Sequence, residues 1–321
     1  MRYFVTGGTG FLGGHVVRQL RDAGHEVVAL ARDPSRAGEL AARGVRLVKG
    51  DITDRASLRE PMAGADGVFH LAAWYEVGTD ASRAEAINVE GTRNVLETMR
   101  ELGVPKGVYT STLAVNSNTH GRVVDESYRH DGPHLSAYDR TKWRAHHEVA
   151  RPMMEEGLPL VIVMPGVVYG PGDTSQMGGL MRRAGRGRFE LMPGGGTGFC
   201  WSHVEDIARG HVLAMERGRV GETYMLAGPC RTAREVLGML PGITGRPLRG
   251  VFMAPAVLKA SARLMSLVEK VAPVPADLSS EAMRVVAGTT YYGSDAKARN
   301  DLGWQARPLE QGLRETFGTE A

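Results

Sequence analysis

Tyr138 and Lys142 stand four residues apart in a stretch whose pattern predicts a helix, so both side chains project from one face. A phenol beside an ammonium can move a proton. A free phenol ionises near ~10, so work near neutrality requires a shift of about three pH units, on the order of 4 kcal/mol. A neighbouring cation can supply it, and Lys142 is placed to do so. The spacing alone is common. It gains weight from an apolar run upstream that ends in Thr110-Ser111-Thr112, where a hydroxyl can hold a substrate oxygen. Given a hydride donor, the set would reduce a carbonyl: hydride reaches carbon, Tyr138 delivers a proton to oxygen, and Thr112 holds that oxygen in place.

A hydride donor needs a dinucleotide site, and the N-terminus offers one. Thr6-Gly7-Gly8-Thr9-Gly10-Phe11-Leu12-Gly13 follows an apolar run and opens a helical pattern with Phe11, Leu12, Val16, Val17 and Leu20 on one face. Glycines there permit a tight turn, close approach of backbone to a pyrophosphate, and close helix–strand packing; the helix start adds free N–H groups and a positive dipole end. Gly7, Gly8, Thr9, Gly10, Phe11, Leu12 and Gly13 are therefore candidate cofactor contacts. A NAD-preferring site carries an acidic side chain roughly 20 residues further on, at the end of the second strand. Arg32 stands there instead. A guanidinium suits a 2′-phosphate, with Arg36 as a second contact, so NADP(H) is the favoured cofactor; Asp33 keeps NAD(H) open. Asp51-Ile52 after the third strand would flank the adenine, and Leu71-Ala72-Ala73 after the fourth would let the cofactor lie against the backbone. His70, in an apolar strand, reads as a core histidine.

These residues need a scaffold, and the first half of the chain describes one. Strands are predicted at Tyr3–Thr6, Glu26–Leu30, Arg46–Lys49, Gly67–Leu71, Gly107–Ser111 and Leu160–Met164. Helices are predicted to start near Phe11, Ala56, Ala84, Ala137 and His146, the last two as one continuous helix. Alternating strands and helices imply an α/β fold with a Rossmann-type doubly wound parallel sheet, which binds ligands at the carboxyl ends of its strands. After Val168 the pattern loosens, so residues 1–168 read as the dinucleotide-binding domain and 169–321 as a smaller C-terminal substrate lobe. That lobe is interleaved with returns to the sheet at about 200–228, where Thr223–Leu226 is strand-like.

Composition narrows the function classes. The 321 residues exceed a single core of ~250–300, and 23% charged with 42% hydrophobic residues describes a folded, water-soluble chain. Lys+Arg (39) and Asp+Glu (36) nearly balance, and no basic run is interleaved with aromatics, which sets nucleic acid aside. The N-terminus runs straight into an apolar strand without the regions of a signal peptide, so a cytoplasmic location is expected. Ala254 to Pro273 carries Lys259, Arg263, Glu269 and Lys270; that excludes a span of ~20 apolar residues and predicts an amphipathic helix with its Met and Leu positions in the core. Cys200 and Cys230 form no CxxC, so reduced structural thiols are expected, with neither a zinc site nor a disulfide framework. His146-His147-Glu148 lacks a third ligand or HExxH spacing and reads as a solvated helix face, so no metal is expected.

Together the glycine turn, Tyr138/Lys142, Asn88-Val89-Glu90-Gly91-Thr92, Tyr169-Gly170-Pro171-Gly172, His203-Val204-Glu205-Asp206 and Asp295-Ala296-Lys297 through Leu302-Gly303-Trp304 resemble the extended short-chain dehydrogenase/reductases. The resemblance covers nearly the whole chain. That family includes nucleotide-sugar epimerases, dehydratases and dihydroflavonol-reductase-like carbonyl reductases. The resemblance implies that Thr112, preceding Leu113-Ala114-Val115, is the hydroxyl partner of Tyr138, with Ser111 as the fallback. It also implies cofactor contacts from Asn88, Thr110, Tyr138, Lys142 and, at the nicotinamide end, Pro165, Gly166, Val167 and Val168. A homodimer would pair the helices near Ala84–Leu102 and Ala137–Glu156.

The departures from the family pattern point to the substrate. Sugar-nucleotide members carry Arg-Pro-x-Asn before the Tyr-Gly-Pro turn and Arg-Asp before the His-Val-Asp-Asp segment. Here Met164-Pro165-Gly166-Val167 and Phe199-Cys200 stand instead, leaving a diphosphate without charged partners. Trp74, Tyr75, Met177, Phe189 and Trp201 lie in segments able to line the cleft, which suits a small-molecule ketone or aldehyde on an apolar body. The expectation is an NADPH-dependent carbonyl reductase or secondary-alcohol dehydrogenase. The alternatives are a sugar epimerase or dehydratase, and a non-catalytic NADP-binding regulator, for which a matched acid and cation would be idle.

Overall fold

The structure is a computed structural model and describes residues 1–78 and 80–318. In chain order its strands are β1 (Arg2–Thr6), β2 (Glu26–Ala31), β3 (Arg46–Lys49), β4 (Gly67–His70), β5 (Gly107–Thr110), β6 (Leu160–Pro165), β7 (Val167–Tyr169), β8 (Phe189–Met192), β9 (Gly198–His203), β10 (Thr223–Leu226), β11 (Cys230–Thr232), β12 (Arg249–Phe252) and β13 (Thr290–Tyr291). A parallel seven-stranded sheet runs β10-β6-β5-β4-β1-β2-β3, the doubly wound order in which the chain reverses beside β1. The six predicted strands lie in it, each within one residue at either end. Thr223–Leu226 returns as the edge strand, pairing with β6.

The inner parallel strands are covered on both faces and so are largely apolar, while successive side chains serve opposite cores. In β1, Phe4 packs with Val28, Ile52 and Met99 on one face, and Val5 with Val17, Phe69 and Trp304 on the other. Two helices carry most of the site. One begins at Phe11 and ends at Asp22. The other is Ala137–Arg144, running on through a π-helical turn, Ala145–Ala150, into Arg151–Glu155, as one continuous helix.

The lobe has its own core of Tyr169, Met181, Trp201, Leu237 and Leu313, under a small sheet of β7, β9, β11 and β13 and beside the β8–β12 ribbon. The chain returns to the nucleotide domain through helix Val204–Arg217, which packs on Phe11–Asp22, and through Trp304, which donates its indole N–H to the Asp206 carbonyl at 2.7 Å. Three expectations change here. Cys200 and Cys230 form a disulfide, because antiparallel β9 and β11 place them directly opposite. Trp201, expected at the cleft, is 1% exposed in the lobe core, its N–H satisfied by the Arg231 carbonyl. Helix Pro255–Val268 buries only Leu258 and Ala262; Leu264 and Leu267, expected inside, are 64% and 59% exposed because only one side of this helix meets the lobe. Among the described residues no helix is long and apolar enough to cross a membrane.

Candidate active site

Gly7 adopts φ +75°, and a Cβ there would stand 2.5 Å from the Ala72 nitrogen. A Cβ on Gly13 would stand 2.0 Å from the Gly7 oxygen, so turn, helix and the loop after β4 close on one another only as glycine. The helix opens at Gly10 without a side-chain cap, and Thr9 and Gly10 are exposed. The first-turn N–H groups of Phe11, Leu12 and Gly13 are left for a ligand, and this cradle fits a dinucleotide diphosphate. Gly8 is buried under Val17.

At the end of β2, Arg32 and Arg36 are exposed. Asp33 is committed elsewhere: its carboxylate accepts from the Ser35 N–H and hydroxyl, which holds it below the usual carboxylate range. Asp51 similarly accepts from Thr53, while Ile52 is buried against Gly91. Ala72 and Ala73 follow Leu71, whose N–H donates to the Thr6 carbonyl. The Asn88 amide is occupied as a clamp, bonded to both backbone groups of Trp74 and to the Thr141 hydroxyl. It therefore ties the Trp74 loop to the Tyr138 helix.

Sheet register lines up the chemistry. Thr6 pairs with His70, His70 with Tyr109, and Thr110 with Val163. His70 is buried, its Nδ1 2.7 Å from the Thr6 hydroxyl and its Nε2 3.0 Å from that of Thr92; burial lowers its pKa to about 3, so it is a neutral core histidine. Its ring stacks on Tyr109. The Lys142 ammonium donates to the Tyr109 hydroxyl at 3.2 Å and the Thr110 carbonyl at 2.8 Å. A continuous polar seam thus joins the lysine to the glycine turn.

Tyr138 sits one helical turn before Lys142 and feels the Thr112 hydroxyl, which accepts the Ala114 N–H at 3.1 Å. Ser111, the fallback, is buried and taken by His146 at 2.8 Å; Thr110 spends its hydroxyl on His211 at 2.9 Å. The electrostatics differ from the expectation of a phenol lowered by Lys142. Burial pushes Tyr138 up to about 12, Thr112 pulling it down and Asp139 pushing it further up. Burial also lowers Lys142 to about 7, and its ammonium is turned to Tyr109 and Thr110, so desolvation outweighs attraction. The phenol keeps its proton near neutrality.

Two further parts of the site carried no local signal. Tyr109 anchors Lys142, yet in sequence it is one more strand aromatic. Asp139 is buried beside Tyr138 and accepts from the Tyr291 hydroxyl at 3.2 Å. Glu281, on helix Ser280–Val285, accepts the Ala137 N–H at 3.1 Å, while Arg284 donates to the Leu135 carbonyl. The lobe therefore grips the first turn of the Tyr138 helix across about 150 residues of chain.

The remaining candidates separate. Trp74 lies under the Arg83 guanidinium, 4.5 Å from its ring centre, and Tyr75 is 53% exposed beside it. Their loop meets the lobe at Gly78, where a Cβ would stand 1.9 Å from the Ser279 hydroxyl. Met177 packs on the lobe core, and Phe189 lies on the outer ribbon, 65% exposed. Gly166 lies against β9, its Cβ position 2.3 Å from the Cys200 oxygen, between Pro165 at the end of β6 and Val167-Val168 in β7. His146 and His147 are buried, not a solvated face as expected: His146 bonds Ser111 and His147 packs on Trp143. Only Glu148 faces out, paired with Arg144.

A sequence profile of the NAD dependent epimerase/dehydratase family matches residues 3–227. A Synechocystis protein named provisionally as a dihydroflavonol 4-reductase is 35% identical over 76% of this chain and 73% of its own length. The 4-hydroxy-2-methyl-3-oxo-4-farnesyl-3,4-dihydroquinoline-1-oxide ketoreductase of Stigmatella aurantiaca is 31% identical over 97% and 94%. The crystal structure of UDP-glucose 4-epimerase with UDP-glucose from Thermotoga maritima superposes with a TM-score of 0.79 at 25% identity, covering 99% of this chain and 97% of that one.

Proposed function

This chain belongs to the NAD dependent epimerase/dehydratase family, and we propose that within it the protein is an NADPH-dependent carbonyl reductase, in reverse a secondary-alcohol dehydrogenase, for a ketone or aldehyde on a relatively apolar body. The observation that carries this reading is the placement of Tyr138 one helical turn before a buried Lys142 whose ammonium is fixed on Thr110, with Thr112 two residues on, at the strand ends that also hold the glycine turn. A bound nicotinamide would supply the hydride. Thr112 holds the substrate oxygen, and Tyr138, a phenol that carries its proton near neutrality, gives that oxygen its proton as the alcohol forms. Lys142, fixed by Tyr109 and Thr110, stands ready to favour the phenolate that is left.

Arg32, with Asp33 occupied by Ser35, supports a preference for the 2′-phosphate. Phe199 and Cys200 support an apolar substrate over a diphosphate sugar. Both are buried, one stacked on Tyr291 and the other in a disulfide, so neither offers a charged donor. Trp74 and Tyr75 are the proposed substrate contacts at the mouth. The same proposal places the protein in the cytoplasm, as a homodimer paired through the helices near 84–102 and 137–156.

NADPH oxidation with aryl and alkyl ketones tests the reading. Tyr138→Phe should lower kcat by at least about 100-fold while NADPH still binds in a fluorescence titration. Undiminished turnover in that variant overturns the assignment. Tightly retained NAD with conversion of a nucleotide sugar, and no net cofactor consumption, favours the epimerase alternative.

A further inference from the structure

Helix Pro255–Val268 presents an outward face that its own chain does not cover. Val257, Ala260, Leu264 and Leu267 are exposed at spacings of three and four residues, and Val271 continues the stripe in the following turn. An unbroken apolar line on a water-facing helix needs a partner. Beside it runs a second line, Lys259, Arg263 and Lys270, also exposed. At 3.6 residues per turn it lies about 90° round the helix from the first. None of these three cations makes an ion pair among the described residues. The nearby acid is withdrawn, since Glu269 accepts from the Ser280 N–H and hydroxyl at 2.6 and 2.7 Å.

We propose that this face docks on an anionic lipid bilayer, with the leucine and valine stripe entering the headgroup–acyl boundary and the cation stripe meeting the lipid phosphates. A helix with adjoining apolar and basic stripes is suited to lying in such an interface. Charge separates this occupant from a second copy of the chain. An antiparallel pair would set the Arg263/Lys270 flank against its own copy, whereas an anionic surface neutralises all three cations. The proposal stands apart from the reaction assigned above, because none of these residues touches the Tyr138 site.

The test is co-sedimentation of the full chain with vesicles of equal parts phosphatidylglycerol and phosphatidylcholine, against phosphatidylcholine alone, with light scattering in parallel. The protein should bind the mixed vesicles and lose most binding in high salt or on phosphatidylcholine alone. Lys259→Gln, Arg263→Gln and Lys270→Gln should each weaken the partition about fivefold, and Leu264→Asp with Leu267→Asp by at least about tenfold. All five side chains are exposed, so unchanged thermal unfolding will separate lost docking from lost folding. Absence of binding to the mixed vesicles, or equal binding to both kinds, overturns the proposal. So does a dimer that the Leu264→Asp/Leu267→Asp variant dissociates, which would assign the face to a second copy.

Discussion

Replacing Asp139 by Asn removes a carboxyl whose proton the fold retains. Burial pushes that carboxyl from its ordinary 3.8 to about 7, with Ser136 and Tyr291 pulling it down and Glu281 pushing it up. Between those values the folded chain keeps a proton that the unfolded chain has lost, so the contribution to stability falls as pH rises through the window and levels off above it. The window spans about three pH units at about 1.4 kcal/mol each, a ceiling of roughly 4 kcal/mol. Asn has the same shape and still offers an oxygen to the Tyr291 hydroxyl. The facing groups are Ser136 and Tyr138 on its own helix, Tyr291 on β13 and Glu281 on the lobe helix, and the substitution leaves all four in place. Buried histidines titrate in the opposite sense: His147 and His211 are held down to about 4, but both proteins contain them and they cancel in the difference. Urea denaturation of the two proteins should therefore show the variant gaining on the parent by roughly 3 kcal/mol between about pH 4.5 and about pH 8. Stabilities that run parallel across that range would mean Asp139 is ionised throughout, and the account of a proton trapped beside Tyr138 would be wrong.

Three other perturbations follow from the geometry. Arg32→Asp should weaken NADPH relative to NADH by about tenfold or more, through loss of a charge-assisted contact; an unchanged ratio of dissociation constants refutes the 2′-phosphate assignment. Gly13→Ala places a methyl 2.0 Å from the Gly7 oxygen, whereas at Gly14 the corresponding distance is 3.8 Å. Dinucleotide titration should fail for the first and survive for the second, and equal affinities would contradict the cradle. The Cys200–Cys230 bond closes a separation of 30 residues, so its reduction, or the double Ser variant, should cost about 3–4 kcal/mol by chain entropy. Denaturation midpoints that coincide with and without dithiothreitol would remove that contribution.

The sheet was legible because its inner parallel strands are short apolar runs between turns, and burial on both faces imposes that pattern locally. The glycine turn was legible because its contacts permit no Cβ. Tyr138 and Lys142 could be paired because helical spacing is a property of sequence. Local pattern failed wherever a partner lay far along the chain. Cys200 and Cys230 look like isolated thiols until β9 and β11 pair. Trp201 and Leu264 are equally apolar letters, yet one is sealed in the lobe and the other faces outward, because which side of an element is covered depends on what packs there. His146 looked solvated until Ser111 came beneath it. The phenol's proton affinity belongs to the same class, since it reflects how fully water is excluded and how near Thr112 and Asp139 stand.

What the sequence determined alone was therefore periodic or steric: the elements, the nucleotide cradle and the spacing of proton donor and cation. Tertiary structure alone decided that the Tyr138 phenol is raised rather than lowered, that Asp139 and Glu281 bind the lobe to its helix, and that two cysteines join. Each of those depends on distances and dielectric created only when remote segments meet.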